Sequence, residues 1–486
     1  MPGTRLTVLS MFMEWVKIDP KRLFWLAGLA GTGKTSIAVT LCRDLHADAT
    51  VVLGGAFFCS RTANSIERTD ARCILPTLAA ALAEQSPGFA AELAKELKLD
   101  PRAPVKPITV QIGCLIRRPL AALASSLRPI VFVIDALDEC TDEIEVEKLL
   151  RAITELDCGA TIKFILTSRP ETHISSSFIS KSDRNDILRL HTIDTAEVTG
   201  DIQRYIHTEF SQQQLGTTWY TDENIKDLAT RAGGLFIFAS TIVRYVVKGM
   251  AANARRRRLQ NVLLAVNTVA ATLPLDAMYG FVLTRASSAV NVDPEELDLT
   301  RQGLACILTA RMPLSVGALA DLLGREKDDL LGALGRLQSV IHVPDQPDQP
   351  GLRTLHASFG DYLLHRAADD IRISASHGHN ILAAACLDVM NRQLHINISQ
   401  HRSSYKPNPS SKTGSIPLSV EYACLQWIFH VIARSDSWEF DGAVGAVFKP
   451  KFMFWLEVMS ALGRLRRAIA MLVFAAATVR SFILKA

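Results

Sequence analysis

The sequence predicts an α/β domain on a parallel sheet, followed by an all-helical domain, a winged helix and a C-terminal helical region. Three observations predict it. Up to residue 195, short apolar runs alternate with helical stretches, the pattern of parallel strands joined by crossover helices. From about Asp194 the periodicity is almost wholly helical, as in Ile202, Tyr205 and Ile206 and then Leu228 to Val246. Between Leu299 and Leu364, helical stretches lead into two short extended runs. The boundaries read from these shifts are 1–195, 196–265, 266–366 and 367–486.

In chain order, the expected strands are Leu23 to Leu26, Val51 to Phe58, Ile130 to Ile134, Ile162 to Thr167 and Asp186 to Leu190. Each is rich in Val, Ile, Leu or Phe and bounded by Gly, Pro, Arg or Asp, residues that interrupt a strand. After the first strand, Ile37, Ala38, Leu41, Cys42 and Leu45 recur at helical spacing. Further on, helices are expected at Gly303 to Leu308, Ser315 to Leu323 and Lys327 to Leu337. Extended runs come next at Ser339 to Val343 and Leu352 to Leu355, and Pro344 to Gly351 is a Pro-rich connector that cannot serve as a central strand. Three helices and a hairpin make a winged helix. Beyond Ala367 the pattern is helical again, broken by a polar stretch from Arg402 to Pro417. No fixed repeat period runs through the chain, which excludes a propeller or solenoid.

Composition narrows the function classes. At roughly 150 residues per domain, 486 residues suggest about three domains. Lys and Arg number 53 and Asp and Glu 49, a net charge of +4, which argues against a protein that works by gripping nucleic acid. With 48% hydrophobic and 21% charged residues, the chain can bury sizeable cores. Nine scattered cysteines without a C-x-x-C pair read as reduced thiols of an intracellular, cytoplasmic protein. The start, Met1 to Arg5, has no charged-then-apolar signal pattern. The late apolar run Ala468 to Val479, about 12 residues, is too short to span a bilayer.

The motif that carries chemistry is Gly28-Leu-Ala-Gly31-Thr-Gly33-Lys34-Thr35, a G-x-x-x-x-G-K-S/T loop between a strand and a helix. Its glycines let successive backbone N–H groups turn toward phosphate oxygens, and the helix that starts there presents its positive end to the same anion. Lys34 is placed to reach the β- and γ-phosphates and Thr35 to ligate Mg²⁺. A second segment, Ile130 to Ile134 followed by Asp135, Asp138 and Glu139, is an apolar strand ending in carboxylates. A buried parallel strand sets Asp135 at its carboxyl end, where ligands of open α/β sheets sit, as a Mg²⁺ ligand. Glu139, or Asp138 beside it, is the candidate for polarising the attacking water, the bland alternative being a helix cap. The next strand ends in Thr167-Ser168-Arg169-Pro170-Glu171, and Arg169 is the candidate sensor of the γ-phosphate, unless it merely pairs with Glu171 on the surface. The placement of an extra strand, Val51 to Phe58, between the loop strand and the acidic strand suits the ATPase branch of P-loop NTPases. No N-K-x-D motif is present, so ATP or ADP is favoured over guanine nucleotides.

These motifs, in this order and spacing, resemble the NACHT ATPases of the STAND class. The fungal type fits, with a nephrocystin-3-like N-terminal region. The resemblance is carried further by Pro2-Gly-Thr-Arg5, Phe24-Trp25-Leu26, Phe57-Phe58-Cys59-Ser60-Arg61, Gly234-Leu-Phe-Ile-Phe238 and Leu355-His356-Ala-Ser-Phe359. It continues through Cys386 to Asn391 and Trp455 to Ser460, and so covers nearly the whole chain. It implies a molecular switch: ADP holds a closed arrangement, and exchange for ATP opens it and permits homo-oligomerisation. It also implies protein partners in signalling, in fungal non-self recognition or cell death. His356 matches the position at which such proteins set a winged-helix histidine against the ADP β-phosphate. The family's Gly-x-Pro turn is missing, because Gly234 is followed by Leu235 and Phe236, which leaves adenine recognition unassigned. Effector and repeat regions usual in the family are absent from this chain, so it is either a minimal switch core or a fragment.

Two rivals are weighed on the residues. A DNA-binding winged helix is poorly served by residues 301–365, with six Lys/Arg against seven Asp/Glu. The run Arg255 to Arg258 is the one strongly basic spot, read as a solvated face or localisation tract. A nucleotide-binding scaffold without turnover is the second rival, against which stand Asp135, Asp138 and Glu139. His377 and His379 lack further ligands at metal spacing, so no metal site is expected there.

Overall fold

The computed structural model describes residues 3–62, 66–123, 128–156, 162–179, 185–193, 195–213, 219–248, 251–267, 274–287, 293–344, 346, 348–400, 416–434 and 440–473. The polar stretch at 402–415 and the end of the apolar run at 474–479 lie outside them. The chain divides into two compact units, Met1–Met278 and Tyr279–Ala486.

All five expected strands form in the first unit: β1 Leu23–Ala27, β2 Val52–Phe58, β3 Ile130–Asp135, β4 Ile162–Ser168 and β5 Asn185–Arg189. They make one sheet in the order β2-β3-β4-β1-β5, every pair parallel. The strand standing in space between the loop strand β1 and the acidic strand β3 is β4, while β2 lies at the edge. One strand inserted between those two is the arrangement of the ATPase branch, so the predicted α/β P-loop fold holds, but the inserted strand is β4 and not the expected Val51 to Phe58, because the crossover connections choose the neighbours.

β1, β3 and β4 are buried along their whole length, as central strands covered on both faces must be. Successive side chains feed two cores. Trp25, Phe132, Ile134, Phe164 and Leu166 face one, filled by Ile74, Leu78 and Leu82 of the helix Ile74–Gln85 and by Val146, Leu149 and Ile153 of the helix Glu143–Thr154. Phe24, Leu26, Val131, Val133 and Ile165 face the other, against helices α1 (Leu6–Ile18) and α2 (Lys34–Ala47). On α1 the buried residues are Val8, Phe12, Trp15 and Val16, and on α2 Ile37, Ala38, Leu41 and Leu45, each a helical stripe.

One strand residue breaks the apolar pattern. Lys163 is 3% exposed, and its Nζ donates to the carbonyls of Trp15 (2.9 Å), Asp19 (2.5 Å) and Lys21 (3.2 Å). It also lies 4.1 Å from the Trp15 ring centroid. A buried ammonium thus caps the last carbonyls of α1, and burial lowers its pKa against the pull of Asp19 and Asp186. The remainder of this unit is helical, including Thr195–Ser211, Asp222–Arg231, Phe236–Val247 and Ala252–Asn267.

The second unit is mostly helical. The helices Pro294–Thr309, Val316–Leu323 and Lys327–Gly335 precede β6 (Ile341–His342) and β7 (Arg353–Thr354), an antiparallel ribbon extended by a bridge between Leu314 and Leu352. Beyond it run Ala375–Gln393, Leu418–Ile432 and Phe440–Ala461. His379 lies in the first of these and bonds His430 across 2.9 Å, and His430 in turn bonds the Tyr422 hydroxyl at 2.8 Å. These histidines sit in a packed polar chain. Among the described residues no group of His, Cys, Asp or Glu is arranged to hold a metal ion.

Candidate functional site

The glycine loop leaves β1 at Gly28 and enters α2 at Lys34. Gly31 (φ 78°) and Gly33 (φ 93°) take left-handed backbone that only glycine adopts without strain. Gly31 has a second reason. A Cβ there would come within 2.0 Å of Ile237 Cγ2, because the helix Phe236–Val247 docks on the loop and Ile237 N donates to Gly31 O at 3.1 Å. Gly33 is the N-cap of α2 and offers no side-chain cap. The loop also closes on its own lysine, whose Nζ donates to Gly28 O at 2.7 Å and Leu29 O at 3.0 Å. Burial lowers the Lys34 pKa, while Asp138, Asp135 and Glu139 raise it.

Asp135 ends β3 at 1% exposure. Its Oδ1 accepts from the Thr167 hydroxyl at 2.5 Å. Burial pushes its pKa up, and Thr167, Thr35 and Lys34 draw it back. The chain then turns through Ala136, a non-glycine residue at φ 55°, which is strained by about 1–2 kcal/mol. Thr167 holds that turn, because its Oγ1 also accepts from Ala136 N at 3.0 Å. One hydroxyl of β4 therefore fixes both the carboxylate and the turn after it.

The short 3-10 turn Leu137–Glu139 carries the two other acids. Asp138 Oδ1 accepts from Arg169 N at 2.9 Å, and its Oδ2 lies 3.2 Å from Arg169 Nε. Glu139 Oε2 accepts from Arg61 N at 2.8 Å. The Arg61 side chain donates to Asp138 O at 2.7 Å and reaches Glu139 O at 3.4 Å. Burial is the main cause that pushes the Glu139 pKa up to about 7, with Asp138 adding to it and the Arg61 amide opposing.

Gly28, Gly31, Gly33, Lys34, Thr35, Asp135, Asp138, Glu139 and Arg169 are thus gathered at the carboxyl ends of β1, β3 and β4. His356 lies in the second unit, where it N-caps the short helix Ala357–Asp361 and its Nδ1 accepts from Ser358 N at 3.1 Å. Sequence reasoning assigned no role to four residues of this site: Arg61, Thr167, Ile237 and Arg5. Arg5 is buried; its backbone N donates to Asp201 Oδ2 at 2.8 Å, and its Nη2 donates to the loop carbonyl of Thr32 at 3.1 Å. Its guanidinium stands 5.2 Å from the Phe236 ring centroid. Arg5 and Arg61 fall in segments that carried the family resemblance, which was the available signal; no spacing rule pairs them with the loop.

Residues 3–169 match the family model for nephrocystin 3, N-terminal. The vegetative incompatibility protein HET-E-1 of Podospora anserina is 26% identical over 493 residues, covering 94% of this chain and 34% of that protein. The chain thus spans about a third of that relative's length. Among solved structures, a Signal Transduction ATPase with Numerous Domains (STAND) protein with a tetratricopeptide repeat sensor, from Pyrococcus horikoshii, aligns over 97% of this chain and 64% of its own. Its identity is 12% and its TM-score 0.41. Cdc6p from Pyrobaculum aerophilum aligns over 79% of this chain and 93% of its own, at 11% identity and a TM-score of 0.31. The family match and the HET-E-1 match bear out the resemblance read from the motifs, to NACHT ATPases of the STAND class with a nephrocystin-3-like N-terminal region.

Proposed function

We propose that this chain, with its nephrocystin-3-type N-terminal region, is a nucleotide-dependent molecular switch that binds ATP and ADP with Mg²⁺ and hydrolyses ATP slowly. The observation that carries the reading is the meeting of Lys34 and Thr35, at the uncapped start of α2, with the buried Asp135. The donors fit the group. The positive-φ glycines form the phosphate cradle, Lys34 leaves its loop carbonyls for phosphate oxygens, and the Thr35 hydroxyl with the Asp135 carboxylate supplies the hard oxygen ligands Mg²⁺ takes. Bound Mg²⁺ would neutralise charge developing on the phosphates.

Glu139 is assigned the polarising of water and Arg169 the sensing of the γ-phosphate, with Asp138 holding Arg169 until then. Both working groups are engaged elsewhere, Glu139 on Arg61 N and Arg169 on Asp138, which supports a slow rate. The same engagement favours, as a second reading, a scaffold that binds nucleotide without turnover. Three helices and the β6–β7 ribbon support a winged helix, in which His356 contacts the β-phosphate of ADP. Domains of 1–195, 196–265, 266–366 and 367–486, a cytoplasmic setting, protein partners and nucleotide-dependent self-association complete the proposal. The HET-E-1 match supports a role in fungal non-self recognition and cell death. Among the described residues, no helix is long and apolar enough to cross a membrane.

The test is to purify the chain, identify the nucleotide that travels with it, and measure its mass in solution. ADP in a monomer, and a larger particle with a non-hydrolysable ATP analogue, is the expected result. Identical particles in both states would overturn the switch.

A further inference from the structure

The acid-bearing turn has a second feature that the nucleotide chemistry does not use. Cys140 follows Glu139 directly, and its thiol donates to Cys59 Sγ across 3.6 Å. Cys59 lies just past β2, where its N donates to Asp135 O at 3.0 Å, and it precedes by two residues the Arg61 whose amide holds Glu139. Both thiols are buried, at 3% and 5% exposure, and both are free. They follow the neighbouring strands β2 and β3, which pair in parallel along their length. The pair therefore adjoins the Glu139–Arg61 contact along both segments, Cys140 next to Glu139 and Cys59 two residues before Arg61.

We propose that Cys59 and Cys140 form a disulfide under peroxide and lock the acid turn, so that oxidation stops hydrolysis and leaves nucleotide binding intact. The sulfurs must close from 3.6 Å to a bond of about 2.05 Å. The step balances with hydrogen peroxide as oxidant. One thiol, as its thiolate, attacks a peroxide oxygen, the O–O bond breaks, and a sulfenic acid and one water result. The second sulfur displaces the sulfenic oxygen, which leaves as a second water, and the S–S bond forms. Two thiols are oxidised and one peroxide is reduced.

The consequence comes from connectivity. Once joined, the segment 59–61 and the turn 137–140 move as one, and Glu139 cannot leave the Arg61 amide to reach water. Lys34 and Thr35 lie on α2 and the glycine loop, outside the closed loop of chain, so phosphate contacts persist. This effect on turnover rests on the role proposed above for Glu139, whereas formation of the bond does not.

The experiment treats the full chain with hydrogen peroxide, alkylates remaining thiols, and maps disulfides by peptide mass. The expected result is a Cys59–Cys140 cross-link, turnover reduced by at least about tenfold with nucleotide affinity unchanged, and recovery on adding a thiol reductant. Cys59→Ser is expected to hydrolyse normally and to ignore peroxide, and Cys73→Ser, which removes a half-buried thiol nearby, is expected to behave as the parent. Thiols 59 and 140 still alkylated after Cys73 is oxidised would overturn the proposal. So would a cross-link that leaves turnover unchanged, or a loss of turnover that persists in Cys59→Ser. If the reduced chain shows no turnover, the catalytic reading has failed, and the lock is judged by amide exchange in 136–140. Slower exchange in the cross-linked form supports it, and unchanged exchange overturns it.

Discussion

Glu139 carries a carboxyl group lifted to about 7 by burial, and that sets two measurable consequences. In the role proposed for it, polarising water, it must be ionised, so turnover is expected to rise with pH through about 7 and level off above it. Glu139→Gln retains nucleotide binding, loses turnover by about 100-fold or more, and loses this pH dependence, as a steady-state rate profile would record. For stability the sign is opposite. A carboxyl whose folded pKa is raised binds more protons folded than unfolded, so stability falls as pH rises from the unfolded value of 4.5 toward about 7. Glu139→Gln therefore raises the melting temperature more at pH 8 than at pH 4. Lys34→Ala removes the loop's cation and is expected to abolish nucleotide binding, which titration with a fluorescent nucleotide would show. At this scale, the G-x-x-x-x-G-K-T and acidic motifs made eight of the gathered residues readable and the Thr167 to Glu171 strand end a ninth, because each proposed role demands a particular residue type at a fixed offset from a strand. Arg61 and Thr167 were not readable. One acts through its backbone N–H, which any residue other than proline has, and the other through a hydroxyl whose partner lies on a neighbouring strand.

The helix α1 depends on a strand it does not touch in sequence. Lys163 lies more than a hundred residues away in the chain, yet its ammonium holds the carbonyls at the end of α1. Lys163→Met keeps the strand apolar and the side chain long but leaves those carbonyls without their donor. We expect a loss of about 2–4 kcal/mol in denaturant unfolding, with α1 the first segment to exchange its amides. Were Lys163 a solvated residue on an edge, the substitution would be neutral. The strands themselves were legible because runs such as Ile130 to Ile134 are too apolar to lie anywhere except inside a doubly covered sheet. Their spatial order was less so. A chain order that sets Val52–Phe58 between β1 and β3 becomes a sheet in which β4 takes that place, since crossover connections, not adjacency in sequence, choose the neighbour.

Across the whole chain, charge is nearly balanced, and the one basic run is partly consumed inside the fold. Arg255 is buried against Trp219 and Arg258 donates to Tyr245 O at 2.9 Å, while Arg256 and Arg257 are exposed. We expect no DNA mobility shift at near-physiological salt; a shift that disappears when the four arginines are removed would restore a nucleic-acid role. The sequence by itself determined the parallel α/β core, the glycine loop and the acids gathered beside it, and the helical character of the chain beyond the sheet. Those are local: a glycine that must take positive φ, a lysine and threonine at a helix start, an apolar run that must be buried. Only the tertiary structure decided what holds these groups still. It set Arg61 on Glu139, Arg169 on Asp138, Ile237 on Gly31 and Cys140 beside Cys59. Each of these joins residues far apart in the chain, and such a contact is selected by how elements pack, so no spacing in one sequence records it.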